Sequence, residues 1–281
     1  MTSNENAFAR RTLLKGALLA PAAATAARGA DPQALDRVPL REKFFGCIAA
    51  CHIGSSMGAV VEGWPHERIE KEYSLLDRLL PYEHYGNGWR RPPGTTEDGV
   101  ERQKLMITAV IEKKDRVTAE DVKRIWIRDI KPESAGKVSE PFEATLLAMA
   151  KSGIPASDIG KYCDYAGLVS LARSCHPIGL INAGDVAGAI RDVEDVGQLY
   201  QTAASRGIRW GSVTAAAIAA ATRPGATVES VLEALHAHCD SSVMREIDRG
   251  LKIAEGAQDV RELRVRFDKV YHGAGIPYAQ S

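Results

Sequence analysis

The sequence predicts an all-α fold, and three observations lead there. Apolar residues recur at helical spacing through most of the chain beyond residue 40. Helix-starting residues stand at the heads of several such segments, among them Thr118, Asp185 and Thr227. No run of residues alternates apolar and polar for the length of a strand.

Taken in order, residues 40–61 read as one helix or a helix pair crowded with small side chains, including Gly46, Gly54, Ser55, Ser56 and Gly58. Each glycine inside a helix costs about 1 kcal/mol against alanine, so close packing or a ligand is expected to compensate. His52 reads as a packed, hydrogen-bonded side chain, and Cys47 and Cys51 as small buried apolar ones. Residues 62–93 lose the period and gather Gly, Pro, Trp and Tyr around a short helix at 69–80. Aromatic loops of this kind either shape a ligand pocket or anchor themselves to the core.

The stretch 94–103 follows, in which Thr95 and Thr96 run directly into Glu97 and Asp98. Val100, Ile107, Val110 and Ile111 then recur at helical spacing, which puts the acids in a first turn with Thr95 and Asp98 spaced as a capping box. Two readings are open. The acids complement the helix macrodipole, or Thr96, Glu97 and Asp98 offer hard oxygen ligands to a magnesium-type ion.

Further helices are expected from Thr118-x-x-Asp121, with Val122, Ile125, Trp126 and Ile130 on one face, and at 142–150 and 157–165. Turn residues cluster at 175–180 before Asp185 caps the next helix. Residues 213–222 are nearly all small and apolar and read as a fully buried helix. Thr227 caps another, and weaker helical patterns lie at 243–254 and 259–271.

At 281 residues the chain can bury a sizeable core. Lys plus Arg equals Asp plus Glu at 36 each, which removes the electrostatic case for a nucleic-acid partner. The five cysteines form neither a disulfide framework nor a zinc spacing. Residues 1–30 are expected to be a twin-arginine signal peptide, with Arg10 and Arg11, an Ala-rich apolar stretch and small residues at 24–26. The mature protein is then expected in the periplasm or outside the cell, free of the membrane after cleavage, with the twin-arginine translocon as its partner during export.

Four stretches make a larger pattern: residues 45–59 from Phe45 to Ala59, then Thr96-Glu97-Asp98-Gly99, then Ser174-Cys175-His176-Pro177-Ile178-Gly179-Leu180, then the Ala-rich 213–222. In this order the chain resembles the ADP-ribosylglycohydrolase family, which includes the dinitrogenase reductase-activating glycohydrolases. The first stretch resembles that family's opening helix with its Gly-Asp-Ala-Leu-Gly segment. The second falls where the family has Thr-Asp-Asp-Thr, and the third resembles its central turn ending in Pro-Ile-Gly.

The resemblance implies a compact orthogonal helical bundle over residues 31–281, with two adjacent magnesium ions that hold ribose hydroxyls and a water. It implies Thr96, Glu97 and Asp98 as metal ligands. Glu97 and Asp98 would also be catalytic, with Glu62 as a further carboxylate near the water. Gly54, Ser55, His176 and Gly179 would contact an ADP-ribosylated or other small-molecule substrate. Three departures stand out: Glu97 replaces the usual Asp, Ser55 stands where Asp is usual, and no Asp-x-Asp pair follows Tyr200. The last feature leads to the expectation of a C-terminally incomplete domain. Two functions are therefore carried forward, a magnesium-dependent hydrolase of a ribosyl glycosidic bond and a non-catalytic helical module that binds a nucleotide-sugar or a partner.

Overall fold

A computed structural model of the chain describes residues 38–83, 88, 90–96, 98–131, 141–163 and 170–271. The expected signal segment lies outside the described residues. The chain divides into two compact units between Glu97 and Asp98.

In the first unit, α1 spans Leu40–Gly58 and α2 spans His66–Tyr73. The first is a single helix rather than a pair, and the second starts and stops earlier than the pattern at 69–80 suggests. Two-residue strands β1, Tyr82–Glu83, and β2, Arg90–Arg91, pair antiparallel with Tyr82 opposite Arg91. A small core of Ala59, Val60 and Tyr82 is flanked by Val61, Tyr73, Leu76 and Leu80. Trp64 stacks on Tyr73 and carries the Arg68 guanidinium 3.5 Å above its ring, so this aromatic serves as a loop anchor. Within this unit nothing lies within 4 Å of where a Cβ would stand on Gly46, Gly54 or Gly58, so their expected close packing is not found there.

The second unit holds the main core. Helix α3, Asp98–Lys113, turns at Lys114 into α4, Ala119–Asp129. The Thr118 box forms as its spacing predicts: Thr118 N–H donates to Asp121 at 2.9 Å and Asp121 N–H donates back at 3.4 Å. Val122, Ile125 and Trp126 face inward, and Trp126 meets Tyr200 edge to face with ring centres 5.1 Å apart. Helix α5, Pro141–Lys151, and the short α6, Ala156–Ile159, complete this side.

Helices α7, Ser170–Ser174, and α8, His176–Ile181, come next. The cluster read as a turn at 175–180 is a helix, because Pro177 sits in its first turn, where the missing N–H costs nothing. Helix α9, Val186–Gly197, starts at the Asp185 cap, whose carboxylate accepts from Gly188 N–H at 2.8 Å.

Helix α10, Arg206–Ala221, packs against α7, α8, α9 and α11. Its small residues Gly211, Ala215, Ala216 and Ala219 are buried, whereas Thr214, Ala217 and Ile218 are only half-buried. The expected fully buried helix is thus a helix with one wide buried face. Helix α11, Val228–His238, carries the Thr227 box. Helix α12, Ser241–Ala254, pairs its Glu246 with Arg206 of α10 and packs against α13, Val260–Tyr271. Among the described residues no helix is long and apolar enough to cross a membrane.

Candidate active site

In the first unit, Ser56 joins two stretches that lie far apart in sequence. It is buried in the last turn of α1, with its hydroxyl 2.9 Å from the His52 carbonyl and 3.2 Å from the Gly94 carbonyl. Only one proton serves both acceptors, so the bond is shared between the helix and the loop. Gly94 turns the chain there at φ +87°, a conformation that favours glycine. Thr95 is fixed in turn: its hydroxyl donates to the Pro92 carbonyl at 2.8 Å. The half-buried Thr96 follows directly.

The candidates Gly54, exposed, and Ser55, half-buried, adjoin Ser56 on α1, and so the structure brings them to the same part of the unit as the loop leading to Thr96. Glu62 is exposed in the turn after α1. Burial, with Cys51 nearby, pushes the Cys47 thiol up to about 11, which keeps it protonated and unsuited to nucleophilic chemistry.

Helix α3 begins at Asp98, later than a cap at Thr95 requires, and this explains why the Thr95 hydroxyl serves the preceding turn instead. Glu97 and the Asp98 side chain lie outside the described residues. In the second unit the head of α3 presses on α7: a Cβ on Gly99 would stand 2.8 Å from the Cβ of Arg173. His176 opens α8, half-buried, and α8 packs against both α3 and α10. Gly179 is buried against α10, where its Cβ would stand 2.7 Å from the Cβ of Ile218 and 2.8 Å from the Ala215 carbonyl oxygen. Helix packing alone therefore demands glycine at that position.

Among the polar residues that the sequence reading did not single out, three lie in or beside α3. Arg102 and Gln103 are buried in α3, and Arg173 is half-buried beside its head. The one available signal was the polar run Glu101-Arg102-Gln103 inside an apolar-periodic helix, which local pattern alone assigns to solvent.

Among the described residues no group of three His, Cys, Asp or Glu side chains could hold a metal ion. The donor types at Thr96, Glu97 and Asp98, one hydroxyl and two carboxylates, suit a hard oxygen-seeking cation.

Comparison with protein families decides the question of kinship. The model of the ADP-ribosylglycohydrolase family matches residues 36–280. The chain belongs to this family. No curated protein and no solved structure matches it. As an ADP-ribosylglycohydrolase family member the chain is a glycohydrolase by class, in a family that is generally metal-dependent. The match spans every candidate from Gly54 to Gly179 and takes in residues of both units.

Proposed function

We propose that this protein hydrolyses a ribosyl glycosidic bond, with Thr96, Glu97 and Asp98 holding magnesium at the entrance to α3. The observation that carries the reading is the family match running across these three residues. Bound there, magnesium would supply charge to polarise a water toward the anomeric carbon. The chain's own part is to fix the ligands: Ser56 ties the Gly94 turn to α1, and Thr95 secures the turn to Pro92. Glu62 is our candidate for a carboxylate near the water, and Gly54, Ser55, His176 and Gly179 for substrate contacts. The substrate class is an ADP-ribosylated or related N- or O-glycoside. Arg10 and Arg11, with the apolar stretch after them, support export by the twin-arginine route.

Release of ADP-ribose from an ADP-ribosylated substrate, measured with and without magnesium, tests the reading. The activity should require the ion and fall by roughly 100-fold or more in Glu97→Ala and Asp98→Ala. Unchanged rates in both variants would overturn the site.

The absence of an Asp-x-Asp pair after Tyr200 favours a second reading, a module that binds a nucleotide-sugar without cleaving it. Saturable ADP-ribose binding with no turnover would select it.

A further inference from the structure

Cys47 and Cys51 stand one turn apart on α1, and the four-residue spacing puts both thiols on one face of the helix. Both are half-buried rather than buried, and neither is in a disulfide. Burial first, and the charge of Cys51 second, raise the Cys47 thiol, so the two sulfurs are near enough to interact. Neither has a part in the proposed hydrolysis.

Open space adjoins the pair. Ala50 and Gly54, three residues beyond Cys47 and Cys51, border them along the helix, and both are exposed. A Cβ on Gly54 or on Gly46 would meet nothing within 4 Å inside this unit. No large side chain of α1 screens the thiols on that side, and a small reagent can reach them.

Helix geometry decides what the pair can hold. Side chains four apart on a helix have Cβ atoms about 5–6 Å apart, whereas a disulfide needs about 3.5–4.5 Å. A direct S–S bond would therefore break the turn. One atom bonded to both sulfurs, at roughly the 2.3 Å of a metal–thiolate bond, closes the gap with the helix intact. Among the described residues no group of three His, Cys, Asp or Glu could hold a metal ion, so a four-coordinate ion such as zinc lacks its remaining ligands. What fits is a soft centre that is satisfied by two sulfurs.

We propose that Cys47 and Cys51 form a dithiol site for monosubstituted trivalent arsenic. An organoarsenous oxide condenses with the two thiols: two As–S bonds form, the bonds from arsenic to oxygen and both S–H bonds break, and the oxygen leaves as water with the two protons. The arsenic stays trivalent, so no oxidant or reductant is needed. The repulsion between two neighbouring thiolates becomes attraction once an electropositive centre lies between them. A raised thiol slows the first attack, and the second sulfur then holds the product. The site stands apart from the hydrolase reading, and its readout is binding alone.

Phenylarsine oxide added to the reduced full chain, followed by intact-protein mass spectrometry, tests it. One arsenical per chain should survive a large excess of the monothiol 2-mercaptoethanol and be stripped by the dithiol 2,3-dimercaptopropanol. Cys47→Ala and Cys51→Ala should each weaken retention about 100-fold, and Cys239→Ala should leave it unchanged. Both α1 variants place the best helix former in mid-helix, so the helix should persist in them. Amide exchange across α1 should slow on binding, as a link between successive turns demands. Loss of the arsenical from the wild-type chain to the monothiol would overturn the proposal, as would retention in Cys47→Ala and Cys51→Ala equal to that of wild type.

Discussion

Arg116 grips Asp192 through two hydrogen bonds, each 2.7 Å long, across 76 residues of sequence. The turn between α3 and α4 is thereby tied to the middle of α9. Asn182 donates to the same carboxylate at 2.7 Å, and Arg116 also reaches the Gly188 carbonyl at 3.1 Å. Its hydrogen bonds to Asp192 push the Arg116 guanidinium above its ordinary value.

Arg116→Met should therefore destabilise the second unit, since it strands the Asp192 carboxylate, which is only 14 % exposed. Arg116 itself is partly exposed, and we expect a loss of about 2 kcal/mol. Thermal unfolding should report it as a drop of roughly 4–8 °C. Arg116→Lys keeps the charge without the fork and should recover only part of the loss. A midpoint unmoved in Arg116→Met would show that the pair contributes nothing.

Two glycines that share the family pattern should respond oppositely to one substitution. Gly179→Ala forces a Cβ to 2.8 Å from a carbonyl oxygen that cannot rotate away, which should cost about 1–3 kcal/mol. Gly54→Ala meets nothing within its own unit and replaces a poor helix former, so it should raise stability by up to about 1 kcal/mol. Denaturant midpoints measured side by side decide the matter, and a stabilising Gly179→Ala would refute the packing argument.

Burial pushes the Cys239 thiol from an ordinary 9.0 up to about 11. The sign follows from which state ionises first. Below pH 9 the thiol is neutral both folded and unfolded, and its contribution to stability is intact. Between pH 9 and 11 the unfolded chain ionises first, and that contribution is lost as pH rises. Cys239 should thus resist alkylation by iodoacetamide at pH 8 and react progressively faster toward pH 11, followed peptide by peptide with mass spectrometry. Labelling at pH 8 as fast as that of free cysteine would contradict its burial.

What the sequence disclosed and what it hid divide along one physical line. The Thr118, Asp185 and Thr227 caps were legible because the partner of each lies three residues away. The inward face of α4 was legible for the same reason, as a matter of period. Pro177 misled, because a proline reads alike in a turn and in a helix's first turn. The Ser56–Gly94 bond and the contact of Gly99 with Arg173 had no local signal at all, since each depends on how distant segments pack. The candidate residues were nameable from the family pattern, whereas the groups that steady them emerged only from the fold.

At two helix heads described above, another element caps one further N–H. The Ala119 N–H at the head of α4 donates to Asp195 on α9, 76 residues on, and the Ala156 N–H at the head of α6 donates to Glu120 on α4, 36 residues back. A cap supplied from so far away cannot assist the first turns of a folding chain, where loop closure must be met before the contact forms. Thr118 and Thr227 act early on their own helices, and Asp195 and Glu120 act only once their own helices have docked. Amide exchange at Ala119 and Ala156 consequently times the joining of helices rather than their birth.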